Sequence, residues 1–148
     1  MRLAPRAQAQ IEEFLRAHLQ DREISLPPLR VHAGPFARWA TRLLRAGGFT
    51  LGRHIFIAPK LVQRDERGRL VAPGWLIAHE AMHVLQFQRM GACRLAFSYV
   101  RTYWRELWRS RSLGREARAR AYFAVPEERA AYAATEAFFR WRAQAKRD

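Results

Sequence analysis

Residues 76–86 read LIAHEAMHVLQ, and within them lies His-Glu-x-x-His. On an α-helix, residues four apart stand one above the other on the same face, so His79 and His83 can direct two imidazole nitrogens at one ion. Zn–N bonds of about 2.0–2.1 Å suit that spacing. Glu80 is one step around the helix, which places its carboxylate beside the ion rather than on it. There it can take a proton from a water whose pKa the ion lowers from 15.7 toward roughly 7. Five residues alone form a loose pattern, and a solvated surface helix is the plain alternative. The flanks argue against that alternative. Leu76, Ile77, Ala78, Ala81, Met82, Val84 and Leu85 are apolar, and Glu80 is the one charged residue of the stretch. A polar triad on an apolar helix is costly to bury unless something satisfies it, and a metal would.

The rest of the chain reads as one domain. Its 148 residues leave little room for a second. We divide it into an N-terminal helix and linker at 1–28 and a core at 29–142. Residues 5–20 have helical spacing, and Pro27-Pro28 ends that region. Leu29–His32 fits a short strand, and Phe36–Arg45 fits an amphipathic helix stopped by Gly47-Gly48. Phe49–Ala58 is the strongest strand signal, with a hairpin turn expected at Gly52-Arg53. Arg64–Arg69 reads as a polar turn. The motif helix runs from about Trp75 to Met90 and stops at Gly91. A further amphipathic helix spans Arg94–Arg111, with its Trp residues expected mainly on the apolar side. A last helix opens at Pro126 and runs to about Arg142. The fold class expected is α+β, mostly helical, with a short antiparallel sheet beside the motif helix.

Composition narrows the chemistry further. Cys93 is the one cysteine, so no internal disulfide and no Cys-type zinc site can form; a buried small side chain is the expected role. The segment MRLAPRAQAQIEEFLRAH carries charges throughout and lacks the apolar core of a secretory signal. No run approaches the roughly 20 apolar residues that span a bilayer. A cytoplasmic location is the default expectation, with export by a route that needs no cleaved signal as the alternative. Net charge is +14, with 27 basic against 13 acidic residues, and Lys60 and Lys146 are the only lysines. Arg-rich, Asn-free composition fits a GC-rich genome or a thermophile. It also fits an anionic partner such as a lipid headgroup surface or nucleic acid. The stripe Arg101, Arg105, Arg109, beside Trp104 and Trp108, is where such a partner would sit; a solvated helix face is the simpler reading.

Two imidazoles need a third ligand. His18, His32 and His54 are the remaining histidines, and Glu106, Glu116, Glu127, Glu128 and Glu136 are the downstream carboxylates. We select Glu128, in the first turn of the helix PEERAAYAATE. Glu128, Ala131, Tyr132 and Thr135 share one face, and small residues at 131 and 135 allow close approach to the motif helix. Glu127 is the rival, about 100° around the helix. An ordinary carboxylate facing the helix dipole is the plain alternative.

The order GGFTLGRHIFIA, GWLIAHEAMHVLQFQRMG, an aromatic helix with FSYV, and PEERAAY resembles the short bacterial gluzincin-like metallopeptidase domains of unknown function. These are related to domains of proteins associated with contractile injection systems. The resemblance covers roughly residues 29–140. It implies zinc on His79, His83 and Glu128, with Glu80 as general base. It also implies that strand His54–Ala58 is an edge beside the site, pairing with an extended peptide or protein substrate. One departure stands out. Many gluzincins place an Asp four residues after the ligand Glu to orient a ligand histidine, and here that position is Tyr132, so another group must do this. Peptide hydrolysis by this route also needs an oxyanion donor besides the metal; Tyr122, Tyr132 and His54 are the candidates. Two non-catalytic alternatives remain. One is a zinc-bearing structural or interaction module of a secretion assembly. The other is a basic nucleic-acid or membrane-surface binder.

Overall fold

The computed structural model describes residues 2–44, 46–66, 70–145 and 147. Among the described residues there are six α-helices and a small three-stranded sheet: α1 (Pro5–Leu19), α2 (Pro35–Leu44), α3 (Gly74–Met90), α4 (Ala92–Ser110), α5 (Arg115–Ala124) and α6 (Pro126–Gln144). The strands β1 (Arg30–His32), β2 (Gly48–Leu51) and β3 (His54–Ile57) form the sheet. The chain is therefore a small α+β domain, and no helix among the described residues is long and apolar enough to cross a membrane.

Local chemistry explains the boundaries. Pro5 and Pro126 open α1 and α6 at positions whose N–H would lack a helical partner anyway. Gly52 has φ +57° in the turn between β2 and β3, a conformation that costs glycine little. Gly91, at φ +76°, breaks the chain between α3 and α4.

The sheet is mixed rather than antiparallel. Its order is β1-β3-β2, with β2 antiparallel to β3 but β1 parallel to it, Val31 opposite Ile55. The parallel pairing follows from connectivity: α2 crosses over between β1 and β2, which lets β3 return alongside β1. Consequently His54–Ile57 is the central strand, not an edge. The strand against α3 is β2. Val31, Ile55 and Ile57 face the core with Leu76, Ile77, Ala81 and Leu85 of α3. On the other face Phe56 stacks between His32 and Phe49, and Phe36 of α2 meets it edge-on.

Helices α3 and α6 form the most extensive helix pair, and α1 packs across both. Phe14 is 1% exposed and meets Phe138 at 5.2 Å and Trp141 at 5.8 Å between ring centroids. Helices α4 and α5 make a hairpin with its own small core of Leu107, Ala117 and Ala121.

Several expectations need correction. Arg115–Ala124, for which no element was expected, is a helix, α5, because small residues at 117 and 121 pack on α4. Cys93 is exposed, since it lies on the outer side of α4. Trp104 and Trp108 are 52% and 80% exposed rather than core-facing; Leu95, Thr102 and Leu107 form the buried side. Gln63–Arg64 pairs with Leu70–Val71 as a second, two-stranded sheet. Residues 67–69 of the expected polar turn, and Arg45 at the end of the expected second helix, lie outside the described residues.

Candidate metal centre

Helix α3 presents His79, Glu80 and His83, and the first turn of α6 presents Glu128 against them. His79, Glu80 and Glu128 are buried and His83 nearly so. Ala131 and Ala134 are fully buried between the two helices. Side chains this small let the backbones approach closely enough for a short carboxylate on α6 to reach imidazoles on α3.

The two histidines are held in one tautomer each. Thr135 Oγ1 donates to the Ala131 carbonyl at 3.1 Å, so its oxygen accepts the Nδ1–H of His79 at 3.2 Å. Gln86 Nε2 donates to the Glu127 carbonyl at 3.0 Å, which turns Gln86 Oε1 toward His83 Nδ1 at 2.8 Å. With both Nδ1 atoms protonated, both Nε2 atoms carry lone pairs. These face Glu128: His79 Nε2 is 3.8 Å from Oε2 and His83 Nε2 is 3.7 Å from Oε1. Such distances are too long for hydrogen bonds. They approach the separation of about 3.4 Å expected between ligand atoms sharing one tetrahedral zinc ion.

Three acceptor atoms thus lie within 4.8 Å of one another, and among the described residues no hydrogen bond joins one of these three side chains to another. A cation resolves that arrangement, and the donor set of two imidazoles and a carboxylate fits a divalent metal. Among the described residues these three form the one cluster able to hold a metal ion. Burial pushes the His79 imidazolium down to about 4, aided by repulsion from His83. The ring is therefore neutral and ready to ligate at ordinary pH. Burial also raises the Glu128 carboxyl, against which His83 and the Tyr122 hydroxyl favour the ionised form.

Glu80 is fixed from the sheet side. Thr50 Oγ1 contacts Glu80 Oε2 at 2.8 Å. A Cβ on Gly48 would lie 2.7 Å from Glu80 Oε1 and 3.2 Å from the Phe56 carbonyl oxygen. Gly48, read from sequence as half of a helix stop, is thus the point where β2 closes on the carboxylate. Burial raises the Glu80 carboxyl to about 7, more than the His83 and Thr50 contacts lower it. Gly48→Ala is expected to leave the fold and metal binding intact, because the Glu80 carboxylate end can move. Its carboxylate shifts off Thr50, so any chemistry that depends on Glu80 should fall about tenfold or more. Parallel assays of metal content and turnover check this.

The remaining candidates sort clearly. The Tyr122 hydroxyl donates to Glu128 Oε2, so it orients the ligand rather than standing free as an oxyanion donor. Burial and this carboxylate both raise its pKa. Tyr132 packs edge-on to His79 at 4.9 Å and is 39% exposed. His54 is not at the site: its Nδ1 pairs with His32 Nε2 at 2.9 Å on the outer face of the sheet. His18 stacks on Phe14 instead. Glu127 is buried, with Oε2 lacking a hydrogen-bond partner, and it lies outside the cluster. Tyr99, from α4, lies near enough to Glu128 to favour its ionised form. Thr135, three residues beyond Tyr132 on the same helix, is the group that orients His79.

A family model, the eCIS core domain (eCIS denoting an extracellular contractile injection system), matches residues 3–91. The chain belongs to the eCIS core domain family. The matched region takes in α1, the sheet and all of α3, and so includes His79, Glu80 and His83. Glu128 lies beyond it. No curated protein and no solved structure matches the chain. The link to contractile injection systems expected from the resemblance therefore stands, with a match that begins earlier and ends sooner than residues 29–140.

Proposed function

We propose that this eCIS core domain is a zinc-dependent peptidase of the gluzincin type. The observation that carries the reading is the convergence of two Nε2 lone pairs with the Glu128 carboxylate, and a second, non-ligating carboxylate at Glu80 beside them. His79, His83 and Glu128 would hold the ion. Zinc at such a site supplies Lewis acidity, which polarises a carbonyl and lowers the pKa of water to about 7.

Glu80 acts as the general base. Its raised pKa, about 7, places it where a base is efficient near neutral pH. It takes a proton from water on one carboxylate oxygen and returns it to the leaving amine nitrogen. Thr50 holds the other oxygen in place. Tyr132 is the remaining candidate to donate to the developing oxyanion, because Tyr122 is committed to Glu128. Strand β2 pairs with β3 on one side only. An extended substrate backbone would add to its other side, as strands do at sheet edges.

A second reading, a zinc-holding module of an injection assembly without turnover, has one observation in its favour. Glu80 is only 2% exposed, and β2 meets both of its oxygens. Glu80→Gln separates the two. In the peptidase reading it keeps one zinc per chain and cleaves an unstructured protein such as casein about 10²–10⁴-fold more slowly than wild type. Equal cleavage by both proteins, or none by a fully zinc-loaded wild type, rejects peptidase activity. Absence of stoichiometric zinc after reconstitution rejects both readings.

A further inference from the structure

The α4–α5 hairpin carries an apolar ridge that no other part of the fold covers. Steps of three, four and seven residues return to one side of a helix. Phe97, Val100, Trp104 and Trp108 follow those steps and are 69%, 53%, 52% and 80% exposed. Leu107, at the edge of this ridge, is buried on Ala117 and Ala121, and Leu95 and Thr102 lie on the buried side of the helix. Leu113, in the turn after the helix, is also 65% exposed.

That tip is ordered rather than loose. Ser110 Oγ donates to the Leu107 carbonyl at 2.7 Å, the Gly114 N–H donates to Ser112 Oγ at 3.1 Å, and Arg118 Nε donates to the Leu113 carbonyl at 2.8 Å. The turn therefore holds Leu113 outward as a fixed feature. Large apolar groups fixed in water along one line mark a surface that is covered when the protein works.

Charge says by what. Residues 92–124 contain eight arginines and two glutamates. Glu106 is shared by Arg105 and Arg109. Arg94 and Arg101, flanking the ridge, have no ion-pair partner among the described residues. Phe and Trp rings favour the depth of lipid headgroups, and an adjacent arginine can lay its stem along apolar surface while its guanidinium meets phosphate. Separate rings on a single projecting helix form no groove along which a nucleic-acid strand could run.

We propose that this face docks on an anionic lipid bilayer. Phe97, Trp104, Trp108 and Leu113 enter the headgroup region, and the flanking arginines engage lipid phosphates. The inner side of the same helix places Tyr99 near Glu128, so α4 stands between the bilayer and the proposed metal centre.

Flotation of the full chain with vesicles tests this. Vesicles of phosphatidylcholine and phosphatidylserine at three to one should carry wild type upward, and phosphatidylcholine alone should not. Trp108→Ser with Leu113→Ser, and separately Arg101→Glu with Arg105→Glu, should each lower partition more than about tenfold. All four positions are exposed, so melting temperature and zinc content should stay at wild-type values. Failure of wild type to float on the anionic vesicles, or unchanged flotation of both variants, overturns the proposal. So does a wild-type dimer, without lipid binding, that Trp108→Ser with Leu113→Ser dissolves; that result assigns the ridge to a second copy. Retention on single-stranded DNA without flotation overturns it in favour of nucleic acid.

Discussion

Glu128→Ala is expected to abolish stoichiometric zinc binding while the chain remains folded. The residue is the one ligand that does not come from α3, and no other carboxylate shares its position in the cluster. Two histidines alone leave the ion without its anionic ligand, so affinity should fall more than the 10–100-fold typical of losing an orienting group. The fold should tolerate the change, because a buried carboxylate that burial disfavours is removed. In wild type, zinc at a hundredfold excess over Kd adds about 2.7 kcal/mol. That corresponds to a rise in melting temperature of about 5–10 °C for a domain of this size. Glu128→Ala should show no such rise. Metal analysis and melting curves with and without zinc decide the matter, and an equal shift in both proteins would remove Glu128 from the site.

The pH dependence of that shift has a defined sign. Burial raises the Glu80 carboxyl from 4.5 to about 7. Its contribution to the metal-free fold is therefore complete below pH 4.5 and lost as pH climbs through 7. The loss is about 3 kcal/mol at most. Glu128 is displaced in the same direction. His79, lowered from 6.5 to about 4, acts oppositely: its contribution is present above 6.5 and disappears as pH falls through 4. Glu80 and Glu128 act in one direction, and part of the His79 window lies below pH 5 and does not enter the comparison. The metal-free protein should thus melt lower at pH 8 than at pH 5. A cation reverses the carboxylate penalty, so the zinc-induced rise should grow with pH across the same window.

Phe14→Ala is expected to cost about 3–5 kcal/mol, the range for emptying a fully packed phenylalanine site. Phe14 is where α1 grips α6, through Phe138 and Trp141, and few domains have more than about 5–15 kcal/mol in total. Urea titration should show a lower midpoint with an unchanged slope. Zinc affinity of the folded fraction should hold, because Phe138 lies ten residues from Glu128, about 15 Å along the helix. A loss of affinity comparable to that of Glu128→Ala would mean that α1 sets the metal geometry directly.

The ligand set was legible because each part of it obeys a local rule. The i, i+4 spacing of His79 and His83 and the charge-free flanks needed no tertiary information. Glu128 was accessible through Pro126, which fixes where α6 starts, and through the small residues that follow. Thr135 was visible on the same face, though its hydrogen bond to His79 was not. Gln86 was within reach as the residue three after His83, on the same side of α3. By contrast, Gly48 and Thr50 act on Glu80 from another element, and Tyr99 reaches Glu128 from α4. Nothing local distinguishes those residues from ordinary strand and helix positions.

Strand order shows the same division. The alternation in residues 54–58 identified a strand, but alternation is equally compatible with a centre or an edge. The α2 crossover decided it by returning β3 beside β1. Likewise Trp104 and Trp108 were expected on the apolar side of α4, and the packing of that helix turned them outward, burying Leu95, Thr102 and Leu107 instead. From the sequence by itself, helical pitch and the cost of burying polar groups were enough to predict the motif helix, its convergent histidines and the carboxylate beside them. Tertiary structure alone decided which strand closes on Glu80 and which hydroxyls orient the ligands, because those contacts join residues with no fixed spacing along the chain.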